Sequence, residues 1–499
     1  MAELVCAIDA GTTGITVLVL DADARVRGRA YSEFTQHFPR PGWVEHDAEE
    51  IWEVTRGVLG AALEDAGASG SDLAAIGITN QRETAVLWDR KTGQPVAGAV
   101  VWQCRRSAAI CERLRSEGLE DELRRRTGLV LDPYFSASKI IWLLDNVDGA
   151  RGRAEAGELA FGTIDTWLIW KLTGGEVHVT EPGNASRTML YSLAERKWDP
   201  WILDRLDIPA SLLPDVRRTS GRFGATSSSL LGGAEVPISG AAGDQQAALF
   251  GQACFERGMA KNTYGTGSFV LVNTGADPAH SERGLLATAA WDVGGGVEYA
   301  LEGAIFTTGA AIQWLRDGLG VISEAAETGP LAASVDDSGG TYLVPAFVGL
   351  GAPHWDPYAR GTWIGITQGT TKAHLARAVV EAMAFQTRDV VEAMVADSGA
   401  PLQELRVDGG ASVMDVLCQF QADLLGAPVR RPANQETTAL GAAYLAGLDA
   451  GVWSSREEIA AKWAVAAEYE PRMGRDEADA RYAEWREALD RSRAWARAE

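Results

Sequence analysis

Two stretches near the middle of the chain hold residue types that do chemistry together. Gly240-Ala-Ala-Gly243-Asp244-Gln245-Gln246 offers a carboxylate and an amide after a run of small residues. Tyr264-Gly265-Thr266-Gly267-Ser268-Phe269 offers a glycine-spaced turn flanked by hydroxyls. A carboxylate so placed can take a proton from a hydroxyl, and such a turn can cradle a phosphate on its backbone N–H groups. A third stretch, Asp9-Ala-Gly11-Thr12-Thr13-Gly14, lies between two apolar runs. Its N–H groups and the Thr12 and Thr13 hydroxyls can point at phosphate oxygens while Asp9 faces a metal ion. The same residue types also cap helices and turn hairpins, so the elements around them must decide.

Further polar residues raise the same question. Asn80-Gln81-Arg82-Glu83 separates two apolar segments. Arg82 and Glu83 are either a solvated ion pair, worth under ~1 kcal/mol, or paired donors and acceptors for a hydroxylated ligand. Trp102 and Tyr134 are either core aromatics or ligand walls. Asp408-Gly409-Gly410, between a predicted strand and a predicted helix, is a place where backbone can approach a nucleotide.

The elements that must position these residues can be read in order. Residues 4–8 and 15–20 are predicted strands around the first turn, and 25–34 a third strand. Residues 47–66 carry apolar positions at helical spacing with Asp47 as N-cap. Strands are expected at 73–79 and 84–88, and a turn passing into a helix at 132–146. Residues 158–172 read as strand then helix, 182–187 as a polar loop, 204–222 as helix and turn, and 227–233 as the most linker-like stretch. The second half repeats the logic: strand, turn and strand over 260–274, helices over 304–319 and 372–398, strand–turn–helix from 405, and a small-residue helix from 437 suited to tight packing on a sheet. The expected division is into residues 1–250 and 251–499, two α/β domains around a cleft, as a nucleotide-dependent transferase needs.

Composition narrows the class. A chain of 499 residues exceeds what one hydrophobic core usually serves. A formal net charge of -22 argues against nucleic-acid binding. No apolar run approaches a membrane span and no secretory leader opens the chain, and five scattered cysteines fit a reducing cytoplasm.

Longer patterns resemble the FGGY carbohydrate kinases over nearly the whole chain. Tyr134-Phe-Ser136-Ala-Ser-Lys139-Ile-Ile-Trp142-Leu-Leu-Asp145-Asn146 is similar to that family's first signature, and Gly361-Thr-Trp-Ile-Gly365-Ile366 with His374-Leu-Ala-Arg-Ala378-Val-Val-Glu381 to its second. The resemblance implies an actin-like, hexokinase-type ATPase fold with two ribonuclease-H-like domains around a central cleft. Gly77-Ile-Thr-Asn-Gln81-Arg82-Glu83-Thr84 and Val101-Trp102-Gln-Cys-Arg-Arg106 resemble the glycerol-phosphorylating members, whereas xylulose kinases usually carry a Met-His-Gly type segment where Gln81-Arg82-Glu83 stands. By that likeness Arg82, Glu83, Tyr134, Asp244 and Gln245 hydrogen-bond glycerol while Trp102 and Phe269 wall its carbons. Asp244 is the general base. Asp9, with Asp244, holds Mg2+ through water. Thr12, Thr13, Gly14, Gly265 and Thr266 hold the phosphates of ATP, and Gly309, Gln313, Gly410 and Met414 line the rest of the nucleotide. Family members are commonly homodimers or homotetramers. The competing expectations are a kinase of the same fold acting on another polyol or ketose, and an actin-like nucleotide-binding scaffold without transfer chemistry.

Two departures bear on nucleotide affinity: Thr16 stands where an arginine is common, and Met414 where asparagine is usual. The stretch 227–235 has no basic residue, and no Lys or Arg occurs between Arg222 and Arg257, so inhibition by fructose bisphosphate is not expected. No His lies between His178 and His280, so activation by histidine phosphorylation there is not expected.

Overall fold

The structure, a computed structural model, describes residues 3–496. Most of its strands fall into two large mixed sheets, and the rest form small two-stranded ones. The first holds β1 (Leu4–Ala10), β2 (Gly14–Leu20), β3 (Val26–Glu33), β4 (Leu73–Asn80), β5 (Ser220–Ala225) and β6 (Pro237–Gly243) in the order β5-β6-β4-β1-β2-β3. The second holds β7 (Met259–Tyr264), β8 (Ser268–Gly275), β9 (Leu286–Asp292), β10 (Val297–Ile305), β11 (Glu404–Gly409), β12 (Val429–Pro432) and β13 (Val465–Tyr469) in the order β9-β10-β8-β7-β11-β12-β13.

The two sheets share one plan. In each, an antiparallel meander is continued by two parallel strands and closed by an antiparallel edge: β3-β2-β1-β4-β6-β5 in the first, β10-β8-β7-β11-β12-β13 in the second. Strand β9 is an addition on the free side of β10. Parallel strands buried on both faces need apolar side chains throughout. Val5, Cys6, Ala7 and Ile8 of β1 are accordingly all buried.

Helices cover the sheets. Helix α1 (Ala48–Asp65) starts where expected, with Asp47 accepting hydrogen bonds from the N–H groups of Glu49 and Glu50. Helix α2 (Ser136–Asn146), α3 (Ile164–Leu172), α4 (Pro182–Ser186) and α5 (Asp244–Gly251) belong to the first half; α6 (Gly309–Asp317), α7 (Lys372–Ser398), α8 (Asp415–Leu425) and α9 (Thr437–Ala450) to the second. Helix α9 crosses over to the first sheet and to α5, with Ala439, Ala442 and Ala443 in one buried cluster with Val5, Ala75 and Ala247. The approach is close because glycines line it. A Cβ on Gly441 would sit 1.9 Å from the Ala247 carbonyl oxygen, and one on Gly77 2.0 Å from that of Ala442.

Two expectations are corrected. Residues 182–187 are no polar loop: Pro182–Ser186 is a helical turn capped by the Glu181 carboxylate, and Arg187 after it is fully buried. Residues 204–222 also include the start of β5, an edge strand whose Gly221 and Gly224 hide the alternation that marks strands.

Candidate active site

Arg82 and Glu83 follow β4 and are buried, with relative exposures of 3% and 1%, so the reading as a solvated pair is excluded. They barely touch, with Arg82 Nε 3.9 Å from Glu83 Oε1. Arg82 instead donates from Nη1 and Nη2 to the two oxygens of Glu302 at 2.5 and 3.1 Å, and from Nη1 to Gln246 Oε1 at 3.2 Å. Its Nε lies 3.1 Å from Asp244 Oδ1. Burial works against a charge on Arg82, but Glu302 and Glu83 outweigh it and hold its pKa above the usual range. The Arg82 stem fills the space beside Gly243, where a Cβ would come within 2.6 Å of its Cδ.

Asp244 opens α5, which makes it a first-turn carboxylate at a helix N-terminus. Its Oδ1 accepts from the Gln245 N–H at 2.7 Å and faces Arg82, while Oδ2 has no protein donor among the described residues. Gln245 is held in turn by the buried Lys261 ammonium, whose pKa burial pushes down to about 8. Phe269 lies with its ring centroid 6.0 Å from the Arg82 guanidinium. On the other wall Trp102 and Tyr134 meet edge to face at 5.6 Å, and Trp102 Nε1 donates to Thr12 Oγ1 at 3.0 Å. The polar residues expected to bind an acceptor and the aromatics expected to wall it thus lie in one connected set of contacts, the candidate acceptor pocket, which reaches the first loop through Thr12.

Asp9, near the end of β1, faces this pocket. Burial first, then the neighbouring carboxylates of Asp244 and Glu436, push its carboxyl up to about 8. Its Oδ1 is buried without a hydrogen-bond partner. An orphaned oxygen among like charges fits a bound cation. No group of three or more His, Cys, Asp or Glu is placed to hold a metal among the described residues. Thr16 pairs with Asp9 across the β1–β2 ladder, beside it on the same face. Thr13 is exposed on the loop, whereas Gly14 is buried where a Cβ would come within 2.7 Å of the Ser32 carbonyl oxygen, so packing against β3 already requires glycine there.

The second loop borders a cavity of about 760 Å³ lined by Gly265, Thr266, Gly309, Gln313, Gly410 and Met414, among others. The N–H groups of Gly309 and Ala310 at the start of α6 donate to the Gly265 and Thr266 carbonyls, each at 3.0 Å, locking the loop to that helix. Much of the lining is apolar, including Ile312, Ala326, Pro330 and Val413. Two polar side chains at its rim are engaged elsewhere: Arg316 pairs with Asp317, and Asp415 with Arg431 and Tyr469.

Glu302, Arg187 and Lys261 escaped the sequence reading. Each had a signal, a lone charge within an otherwise apolar or neutral run, since ions are rarely buried unless paired.

Residues 4–251 match the profile of the FGGY family of carbohydrate kinases, N-terminal domain, and residues 260–450 that of its C-terminal domain. The chain is 58% identical over 493 residues to the glycerol kinase of Carboxydothermus hydrogenoformans, covering 99% of each. It is 57% identical over 493 residues to glycerol kinase 2 of Thermotoga maritima, again covering 99% of each. Among solved structures, Plasmodium falciparum glycerol kinase with ADP superposes with a TM-score of 0.93 at 33% identity, covering 98% of each chain. Xylulose kinase from Lactobacillus acidophilus, at 19% identity and a TM-score of 0.87, shares the fold. The fold is thus the actin-like, two-domain one expected, and the chain belongs to the FGGY family of carbohydrate kinases.

Proposed function

We propose that this chain phosphorylates glycerol at a primary hydroxyl with MgATP, giving sn-glycerol 3-phosphate and ADP. The observation that carries the reading is Asp244: one oxygen is fixed by Arg82 and the Gln245 N–H, and the other has no protein donor among the described residues. The relatives named glycerol kinase, at 55–58% identity over nearly the whole chain, support glycerol over other polyols.

The acceptor binds with its hydroxyls against Arg82, Glu83, Tyr134, Asp244 and Gln245 and its carbons between Trp102 and Phe269. A triol offers little apolar area, so discrimination rests on buried polar groups that a wrong ligand leaves unpaired. Asp244 accepts the proton of the attacking hydroxyl while an O–P bond forms to the γ-phosphorus and the bond to the β,γ-bridging oxygen breaks, releasing ADP. Thr12, Thr13 and the loop ending at Gly14, with Gly265 and Thr266, steady the phosphates from opposite sheets. Gly309, Gln313, Gly410 and Met414 line the nucleotide side. Asp9 and Asp244 would hold Mg2+ through water; bound there, the ion offsets negative charge on the phosphates.

The free, buried state of all five cysteines suits a cytoplasmic setting. No helix among the described residues is long and apolar enough to cross a membrane. Assembly as a homodimer or homotetramer follows from family analogy.

The test is ADP release by the purified protein with ATP, Mg2+ and a panel of glycerol, erythritol, dihydroxyacetone and pentuloses. Release dependent on glycerol, with the highest kcat/KM for glycerol, is expected. A higher kcat/KM for any other acceptor displaces glycerol, and no acceptor dependence leaves the chain a nucleotide-binding scaffold.

A further inference from the structure

Behind the acceptor pocket lies a closed ring of four charges. Glu302, on β10 of the second sheet, is fully buried and takes the fork of Arg82 on both oxygens. Arg187, also fully buried, donates from Nη2 to Glu302 Oε1 at 2.9 Å and from Nε to Glu83 Oε1 at 2.6 Å. The Arg187 guanidinium lies 5.5 and 5.3 Å from the ring centroids of Tyr134 and Phe135. Three hydrogen bonds tie Glu302 to the two guanidinium groups, and both Glu302 and Arg187 are closed off from solvent, although Arg187 Nη1 is buried without a partner among the described residues.

The ring separates two residues that would otherwise neutralise each other. Adjacent in sequence and confined in a low-dielectric pocket, Arg82 and Glu83 attract strongly, yet they stay 3.9 Å apart because each is drawn to a different partner. Glu83 keeps Oε2 without a protein donor among the described residues, and Arg82 keeps Nε toward Asp244. The backbone at Glu83 is bent to the same end. Its φ is 61°, and the Thr84 N–H donates to the Arg82 carbonyl at 2.7 Å, a γ-turn with a left-handed centre. Such a conformation persists only where its surroundings over-determine it; here the Ser136 hydroxyl on the Glu83 carbonyl and Arg187 on its carboxylate do so.

We propose that Arg187 and Glu302 are positioning residues for the acceptor: by holding Glu83 and Arg82 apart they keep open the hydrogen-bonding positions that read the triol, and they touch no substrate. The proposal rests on the reading of the chain as a glycerol-phosphorylating enzyme. Because Glu302 lies on the second sheet and the other three come from the first half of the chain, the acceptor pocket is complete only when both halves are docked.

The test is steady-state kinetics of the full-length protein and of Glu302→Gln, Glu302→Asp and Arg187→Lys, with ADP affinity by calorimetry as a check on the nucleotide side. Losing one charged hydrogen bond of the ring should raise KM for glycerol by roughly 10- to 100-fold in Glu302→Gln and Arg187→Lys. KM for ATP and the Kd for ADP should stay within about 2-fold, and Glu302→Asp should recover part of the loss. A glycerol KM changed by less than about 3-fold, or equal losses toward glycerol and ATP, overturns the proposal. If Glu302→Gln does not fold, Arg187→Lys, which keeps the charge, carries the test; if neither folds, the ring is a folding element and the proposal fails. Absence of glycerol-dependent turnover in the unaltered protein would instead defeat the underlying reading, and is seen without any variant.

Discussion

The charged cluster around Arg82 and the cavity beside the Gly265–Gly267 loop, proposed to take the acceptor and the nucleotide, are built differently. In the proposed acceptor site three of the side chains meant for a hydroxyl are gripped by a second charged group: Arg82 by Glu302, Glu83 by Arg187, Gln245 by Lys261. On the proposed nucleotide side, Arg316 and Asp415 are paired away, and the cavity is lined largely by glycine backbone and apolar side chains, with Thr266 and Gln313 among the few polar ones. Burial treats the two carboxylates of the ring differently as well. It opposes ionisation of both, but Glu302, bound by two guanidinium groups, ends below the usual carboxylate range, while Glu83, with one close partner, ends above it. On the proposed reading, a small polar acceptor meets side chains held by charged partners, and the larger nucleotide meets mostly backbone and apolar surface.

That contrast can be broken by substitution. Asp244→Asn should lower kcat by ~10²- to 10⁴-fold with KM for ATP little changed; equal effects on both would place Asp244 outside the chemical step. Glu83→Gln should lower kcat/KM for glycerol by roughly 10- to 100-fold, the value of a charged hydrogen bond, measured against an unchanged ADP affinity. Gly441→Ala adds a methyl where the Ala247 carbonyl oxygen leaves no room, and should destabilise the protein by ~1–3 kcal/mol in denaturant unfolding.

Asp9 gives a pH test. Its carboxyl is raised from 3.8 to about 8, so between those values the folded protein holds a proton that the unfolded chain has lost. Stability must then fall as pH rises through that window. The thermal midpoint of the nucleotide-free protein should fall more steeply from pH 5 to 8 than that of Asp9→Asn. Glu181, raised by burial to about 8, contributes equally to both. The smallest effect is expected from Met414→Asn in the backbone-lined cavity, within about 3-fold in KM for ATP; a larger one would show that a side chain reads the base after all.

Much of the fold was legible because it rests on local rules. The β1–β2 hairpin, the Asp47 cap of α1 and the full extent of α7 follow from apolar periodicity and cap chemistry. Edge strand β5 was not, since glycines interrupt its pattern and its pairing partner lies some way along the chain. In the pocket, Arg82, Glu83 and Asp244 stood out beside glycines and turns. Glu302 and Arg187 did not, for their meaning comes from a contact across more than a hundred residues, 115 apart in sequence. Periodicity carries no record of such a meeting.

Helix α9 has a consequence for how the chain is made. Its buried alanines complete a cluster that begins with Val5 and Ala7 and includes Ala247 and Phe250 of α5, so that face of the first sheet lacks the main part of its cover until residue 450 has left the ribosome. A nascent chain holding only the first half would expose the groove around Gly77 and Gly240, into which nothing but a closely fitting helix backbone can settle. Synthesis must therefore reach nearly its end before the first strand is finally buried.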